Sequence, residues 1–264
     1  MYCYQSKTRI GQLQTQEDPM KELSIGQYLS SHPHPNVVRF IECIEDSDHI
    51  FSVMEFCDGG ELFEWVEQNG AMSEENAKDP FLQIVDGLTH FQRLKVCHRD
   101  LSLENVLILS NGQCKIIDFG MSLLMPLNPA TNETLKMPPQ GSCGKRNYIS
   151  PEVLSNSDSF YGHLVDVWAL GVMLFILLAG VPPVDTATVL DARYRMICEN
   201  RLGEMLQQWG IHLTSEAVDL LQKLLQADPT RRLTLDEIRN HPWLTTAVAA
   251  GSRRHPEAVE MDQG

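Results

Sequence analysis

No Cys-x-x-Cys pair occurs in this chain, although it carries seven cysteines. Their number is odd, and most sit among apolar neighbours, as in "IECIED" and "GQCKII". That argues against a disulfide framework or a zinc site and for reduced thiols in a cytoplasmic protein. Positive charge is also scarce: 21 Lys and Arg face 35 Asp and Glu, for a net charge of −14. A nucleic-acid partner is excluded on that balance, because a phosphate backbone needs a basic face. Basic peptides suit it better. No apolar leader opens the chain; "MYCYQSKTRIGQL" is too polar. A G-x-G-x-x-G loop is missing as well.

Only one run is long and uncharged, the 18 residues "VWALGVMLFILLAGVPPV" from Val167. Its length approaches a membrane span. Asp166 abuts it, however, and Pro182-Pro183 end the helix early. A helix apolar on every side is also what the axis of a helical lobe requires, so a core helix is expected and no membrane.

What is present comes in a definite order. Residues 1–19 are polar and weakly patterned. A short helix is expected over about 20–29, ended by "HPHPN". "NVVRFIECIE" and "HIFSVMEF" are rich in β-branched and aromatic residues and predict two strands joined by "DSD". "CDGGEL" reads as a turn. Phe81, Ile84, Val85, Leu88 and Phe91 recur at helical spacing and predict a helix over about 79–94, with Pro80 in its first turn. "VLIL" and "CKII" flank Asn111-Gly112, a tight hairpin. Residues 121–147 show no pattern. Helices are expected at 165–180, 187–199, 215–226 and 234–240. Few strands followed by many helices predict an α+β fold: a small sheet-bearing lobe, then a helical one.

The chemistry concentrates in "CHRDLSLENVLILSNGQCKIIDFG", from Cys97 to Gly120. Asp100, Asn105 and Asp118 are the groups there suited to phosphate chemistry. His98-Arg99-Asp100, then four residues, then Asn105, and Asp118-Phe119-Gly120 after the hairpin resemble the catalytic signature of eukaryotic protein kinases. Ser150-Pro151-Glu152, "DVWALGV", "DPTRR" and "HPWL" follow in that family's order. "MEFCDGGELFEWV" and the closing His-Pro-Trp are most similar to the calcium/calmodulin-dependent group of Ser/Thr kinases.

The resemblance covers about residues 20–244: 20–57 as part of the small lobe and 58–244 as the helical lobe, with 245–264 a disordered tail. It implies ATP and Mg²⁺ as cofactors and a protein substrate with basic residues near the phosphosite. Asp100 would aim the substrate hydroxyl, and Asn105 and Asp118 would hold the metal as hard oxygen ligands. Met54 would be the gatekeeper, and Glu55 and Cys57 would bind adenine through their backbone. Leu107 would lie under the adenine, and Glu61 would reach ribose or a basic substrate residue. Asp166 would hold the catalytic loop, Glu152 would pair with Arg232, and Arg99 would grip a phosphate on the activation segment, with Ser142 favoured over Thr131 and Thr134.

The sequence departs from that family in several places. Glu22 matches the helix glutamate, but the strand lysine it should meet has no clear counterpart. Lys7 is the upstream candidate, and a solvated loop lysine is the competing reading. Two or three strands of the small lobe are expected to be absent. Ser102 stands where Ser/Thr kinases have a phosphate-binding lysine, and Lys145 where they have a threonine, so the positive charge is expected to have moved from 102 to 145. Gly26, one turn after Glu22, predicts a loosely packed helix open to a regulatory partner. The function implied is ATP-dependent phosphorylation of Ser/Thr residues. A scaffold without turnover, or a fragment of a longer kinase, stays open.

Overall fold

The computed structural model describes residues 2–6, 19–46, 49–156 and 158–246. In chain order the elements are β1 (Tyr2–Ser6), α1 (Pro19–Ser30), β2 (Phe40–Glu45), β3 (Ile50–Met54), α2 (Leu62–Asn69), α3 (Glu74–Arg93), β4 (Val96–Cys97), β5 (Val106–Ile108), β6 (Cys114–Ile116) and β7 (Leu123–Leu124). Then come α4 (Pro151–Ser155), α5 (Gly162–Ala179), α6 (Ala192–Cys198), α7 (Leu202–Gln208), α8 (Ser215–Leu224), α9 (Leu235–Arg239) and α10 (Pro242–Thr245). This is the expected α+β plan, a small sheet and one helix followed by a helical lobe.

The small sheet is antiparallel in the order β1-β3-β2. Its register sets Tyr2 against Met54 and Ser6 against Ile50. The sequence left Tyr2–Ser6 without structure, and the finding corrects that. "YCYQS" is short and polar at one end, yet a central strand such as β3 offers a full ladder of backbone partners to a neighbour of modest propensity.

The helical lobe is built on α5. Fifteen of its residues, from Gly162 to Leu178, are buried. The apolar run is therefore spent on protein core, with α3 and α8 packed against it. Helix α3 begins five residues earlier than its apolar spacing predicts. Ser73 caps it by accepting the Asn76 N–H at 3.3 Å. Pro80 therefore lies inside the helix rather than in its first turn, and its ring leaves the Asn76 carbonyl without the usual donor. The opening "EENAKD" is polar and buries only Ala77, so periodicity could not mark the true start.

Gly26 corrects another expectation. A Cβ built there would lie 2.6 Å from the Phe40 ring, so the ring already occupies the space a larger side chain on α1 would take. Volume has moved from helix to strand, and the contact is tight rather than loose. From Phe40 the aromatic packing continues to Phe119 at 5.8 Å between ring centroids, and from Phe119 to His98 at 6.2 Å.

Candidate active site

Asp100 and Asn105 sit in the loop between β4 and β5, and Asp118 just after β6. Two anchors hold that loop. The buried carboxylate of Asp166, on α5, accepts the backbone N–H groups of His98 and Arg99, both at 2.8 Å. Burial pushes its carboxyl up, while His98 and the two N–H groups pull the other way. At the other end His98 Nε2 meets the Ile117 carbonyl at 2.9 Å. Arg99 and Asp118 both adopt left-handed backbone, φ 69° and 63°. Residues other than glycine take that conformation at a cost, and such strain collects where a site must aim a side chain.

The structure joins Asp100 and Asn105 directly, and the backbone ties the residue before Asp118 to them, the Ile117 N–H donating to the Asn105 carbonyl at 3.0 Å. The Asn105 side-chain amide donates to the Asp100 backbone carbonyl at 2.7 Å and to Asp100 Oδ2 at 3.2 Å. Both its bonds run through nitrogen, which leaves the amide oxygen as an acceptor for a ligand. Asp118 is exposed; its Oδ1 accepts the Gly120 N–H at 3.1 Å. Phe119, next to it, is fully buried under the small lobe. Among the described residues no group of three or more His, Cys, Asp or Glu gathers as a metal cage. Two hard oxygens, from Asn105 and Asp118, suit Mg²⁺, which takes most of its ligands from water and phosphate.

The cation is where the paired changes place it. Lys145 Nζ donates to Ser102 Oγ at 2.8 Å and lies 4.0 Å from a Glu104 carboxylate oxygen. Ser102 is fully buried, so its hydroxyl acts as a fixed seat for the ammonium.

Along the hinge, Met54 ends β3 half-buried and Cys57 is buried, with burial pushing its thiol up. The Glu55 side chain is itself engaged. Its Oε1 accepts the Arg39 N–H at 2.8 Å and the largely buried Lys115 ammonium at 2.9 Å. The segment then turns through Gly59, where a Cβ would meet the Ile108 carbonyl at 2.7 Å. Only glycine lets the hinge lie this close to β5. Leu107, half-buried on β5, bridges to Glu61. Burial raises the Glu61 carboxyl, and Glu64 and Glu104 raise it further, while Lys145 opposes them. Those residues form one acidic patch beside the catalytic loop.

Two assignments fare differently. Glu22 stands half-buried in the first turn of α1, but Lys7, its expected partner, lies outside the described residues. Arg99 is buried and turned inward. Its Nη2 donates to Cys143 Sγ at 2.9 Å, its Nη1 to the Met121 carbonyl at 3.3 Å, and its guanidinium lies over the Phe160 ring. The Glu152–Arg232 pair forms as expected, bidentate at 2.7 and 2.8 Å. Residues that the sequence did not single out are Lys115 and Cys143.

A family model described as the protein kinase domain matches residues 5–244, and the chain belongs to that family. Among curated proteins it is 34% identical over 238 residues to SNF1-related protein kinase catalytic subunit alpha KIN12 of Arabidopsis thaliana, covering 90% of this chain and 44% of that protein. It is 36% identical over 246 residues to calcium-dependent protein kinase 29 of the same plant, covering 91% and 43%. A third relative is the Dictyostelium discoideum protein named probable serine/threonine-protein kinase fhkD, 33% identical over 246 residues, covering 88% and 31%. The chain thus spans less than half the length of these relatives.

Proposed function

We propose that the chain transfers the γ-phosphoryl group of ATP to serine or threonine hydroxyls of proteins. The observation that carries this reading is the Asn105 amide locked onto Asp100, with Asp118 held in left-handed backbone after the same hairpin. Phosphoryl transfer asks little covalent help of the protein; it asks for an aligned nucleophile and neutralised charge. Asp100 accepts a hydrogen bond from the substrate hydroxyl and points it in line. Asn105 and Asp118 are the residues that would hold Mg²⁺, which would supply neutralisation of phosphate charge. Lys145, seated on Ser102, adds a preorganised cation beside Asp100. It takes the part that a lysine at 102 plays in relatives, since an ammonium acts as a point charge from either side.

The acidic patch of Glu61, Glu64 and Glu104 supports substrates with basic residues near the phosphosite. Burial first, then repulsion from Glu64 and Glu104, raises the Glu61 carboxyl, and a Lys or Arg side chain there relieves the second of these. The Dictyostelium relative, named as a probable serine/threonine-protein kinase, supports the residue class. Radiolabelled ATP with Mg²⁺ and arrays of Ser, Thr and Tyr peptides tests the reading. Label on Ser/Thr peptides with basic neighbours is expected; an array without label contradicts it.

A further inference from the structure

We propose that a water molecule buried behind the catalytic loop links Ser150 to Asp100, and that Ser150 is a positioning residue for the catalytic carboxylate. The proposal deepens the kinase reading above and rests on it for its kinetic consequence. Three buried polar atoms in this region make no hydrogen bond to any protein group: Arg99 Nε, Asp100 Oδ1 and Ser150 Oγ. Their residues all line one cavity of about 10 Å³ between the catalytic loop, residues 143–150 and α5. That is about the space one water needs.

The chemistry of the three atoms is complementary. Arg99 Nε can only donate. An ionised Asp100 Oδ1 can only accept. The Ser150 hydroxyl can do either. A single water accepts from the arginine, donates to the aspartate and exchanges its remaining bond with the serine. Three bonds are what a buried water typically makes. Without it, each group stays desolvated and unpaired, which is unfavourable for a neutral group and more so for a charged one. Leu101, Val153 and Ala169 supply apolar wall, and the other polar side chains that line the cavity already have protein partners: Asp166 takes the His98 and Arg99 N–H groups, Cys143 the Arg99 Nη2, Lys145 bonds Ser102 and Tyr148 bonds Glu104.

Ser150 also departs from its usual employment. It occupies the N-cap of α4, yet its side chain makes no capping bond. Serine at that position normally accepts a backbone N–H of the first turn. Here the fully buried hydroxyl is left for the cavity. The result divides the Asp100 carboxylate. Oδ1 is held from behind by the water, while Oδ2, beside Asn105, is left to meet the substrate hydroxyl. A carboxylate pinned at one oxygen cannot rotate away from the line of attack.

The test has a structural arm and a kinetic arm. Crystal structures of the protein and of Ser150→Ala, a change that removes one atom and fills nothing, read the water directly. Expected is density within hydrogen-bond distance of Ser150 Oγ and Asp100 Oδ1 in the first, lost or displaced in the second. A dry cavity, or a water touching neither atom, overturns the proposal whether or not the protein turns over. In the kinetic arm Ser150→Ala lowers kcat by about 10- to 100-fold, as displaced catalytic groups do. The KM for ATP stays unchanged, and an Asp100→Asn background shows no further loss. Equal losses in both backgrounds would make Ser150 structural only. A protein with the water but no phosphoryl transfer would sink the kinase reading and leave the water link standing.

Discussion

At the residue scale, the site turns on which side chains can be read from spacing and which only from contact. Asp100, Asn105 and Asp118 were legible because their chemistry demands fixed intervals along the chain. The Lys145–Ser102 contact was legible for a subtler reason: two positions changed together in complementary senses. Arg99 was not. Its inward turn depends on Cys143 and Phe160, residues whose types carry no signal for the role, and on a left-handed backbone that no pattern reveals. The Lys145 assignment has a measurable consequence. Charge builds on the phosphoryl oxygens in the transition state, so a seated cation acts there more than in ground-state binding. Lys145→Ala should lose about 10²–10³ in kcat with little change in KM for ATP. The exchange Ser102→Lys with Lys145→Thr should restore much of that loss. Steady-state kinetics with ATP varied at saturating peptide decide it, and full activity in Lys145→Ala would show that the ammonium is a surface charge.

Elements were legible where they bury enough side chains to show a period. Helix α5 and the second half of α3 bury long apolar series, and both were foreseen. The eight-residue α2 buries only Leu62 and Val66, and the seven-residue α7 only Leu202, Met205 and Leu206, too few positions for a pattern. Contacts between elements carry two predictions. Because Phe40 fills the space beside Gly26, Gly26→Leu should destabilise by about 1–3 kcal/mol through overpacking. Adding Phe40→Ala to it should recover part of that, which a double-mutant cycle in urea measures. Additive losses would mean the two positions are not coupled. The second concerns α4 and the turn before α9. Arg232, whose side chain is 0% exposed, pairs with Glu152 and also donates to the Gln226 and Leu164 carbonyls. Arg232→Ala strands a mostly buried carboxylate, so the unfolding free energy should fall by about 3–5 kcal/mol. A shift below about 1 kcal/mol, the range of a surface pair, would contradict that account of the contact.

For the whole molecule, the order of strands before helices gave the α+β plan, and the ordered motifs gave the family. What stayed hidden was the ladder between β1 and β3, a tertiary pairing that a five-residue strand does not announce. The molecule also carries a pH dependence invisible in sequence. His34 stacks on His90 with 4.8 Å between ring centroids, and its Nδ1 accepts the Asn36 N–H at 3.2 Å. Burial, then the neighbouring His90 and Arg93, lower His34 from 6.5 to about 4. Between those values the unfolded chain binds the proton and the folded one does not, so stability falls as pH drops through that window and levels off below it. Tm measured between pH 7 and pH 4 should fall less steeply in His34→Gln than in the parent; identical slopes would exclude His34 as the source.

The central claim is that Asp100, braced by Asn105, directs phosphoryl transfer from Mg·ATP. The most direct measurement is the rate of that transfer to a basic serine peptide, compared between the protein and Asp100→Ala at saturating nucleotide. The account predicts turnover by the protein and only background from the variant, with nucleotide binding retained in both. Equal rates, or ATP-dependent labelling that ignores the change at Asp100, would contradict it.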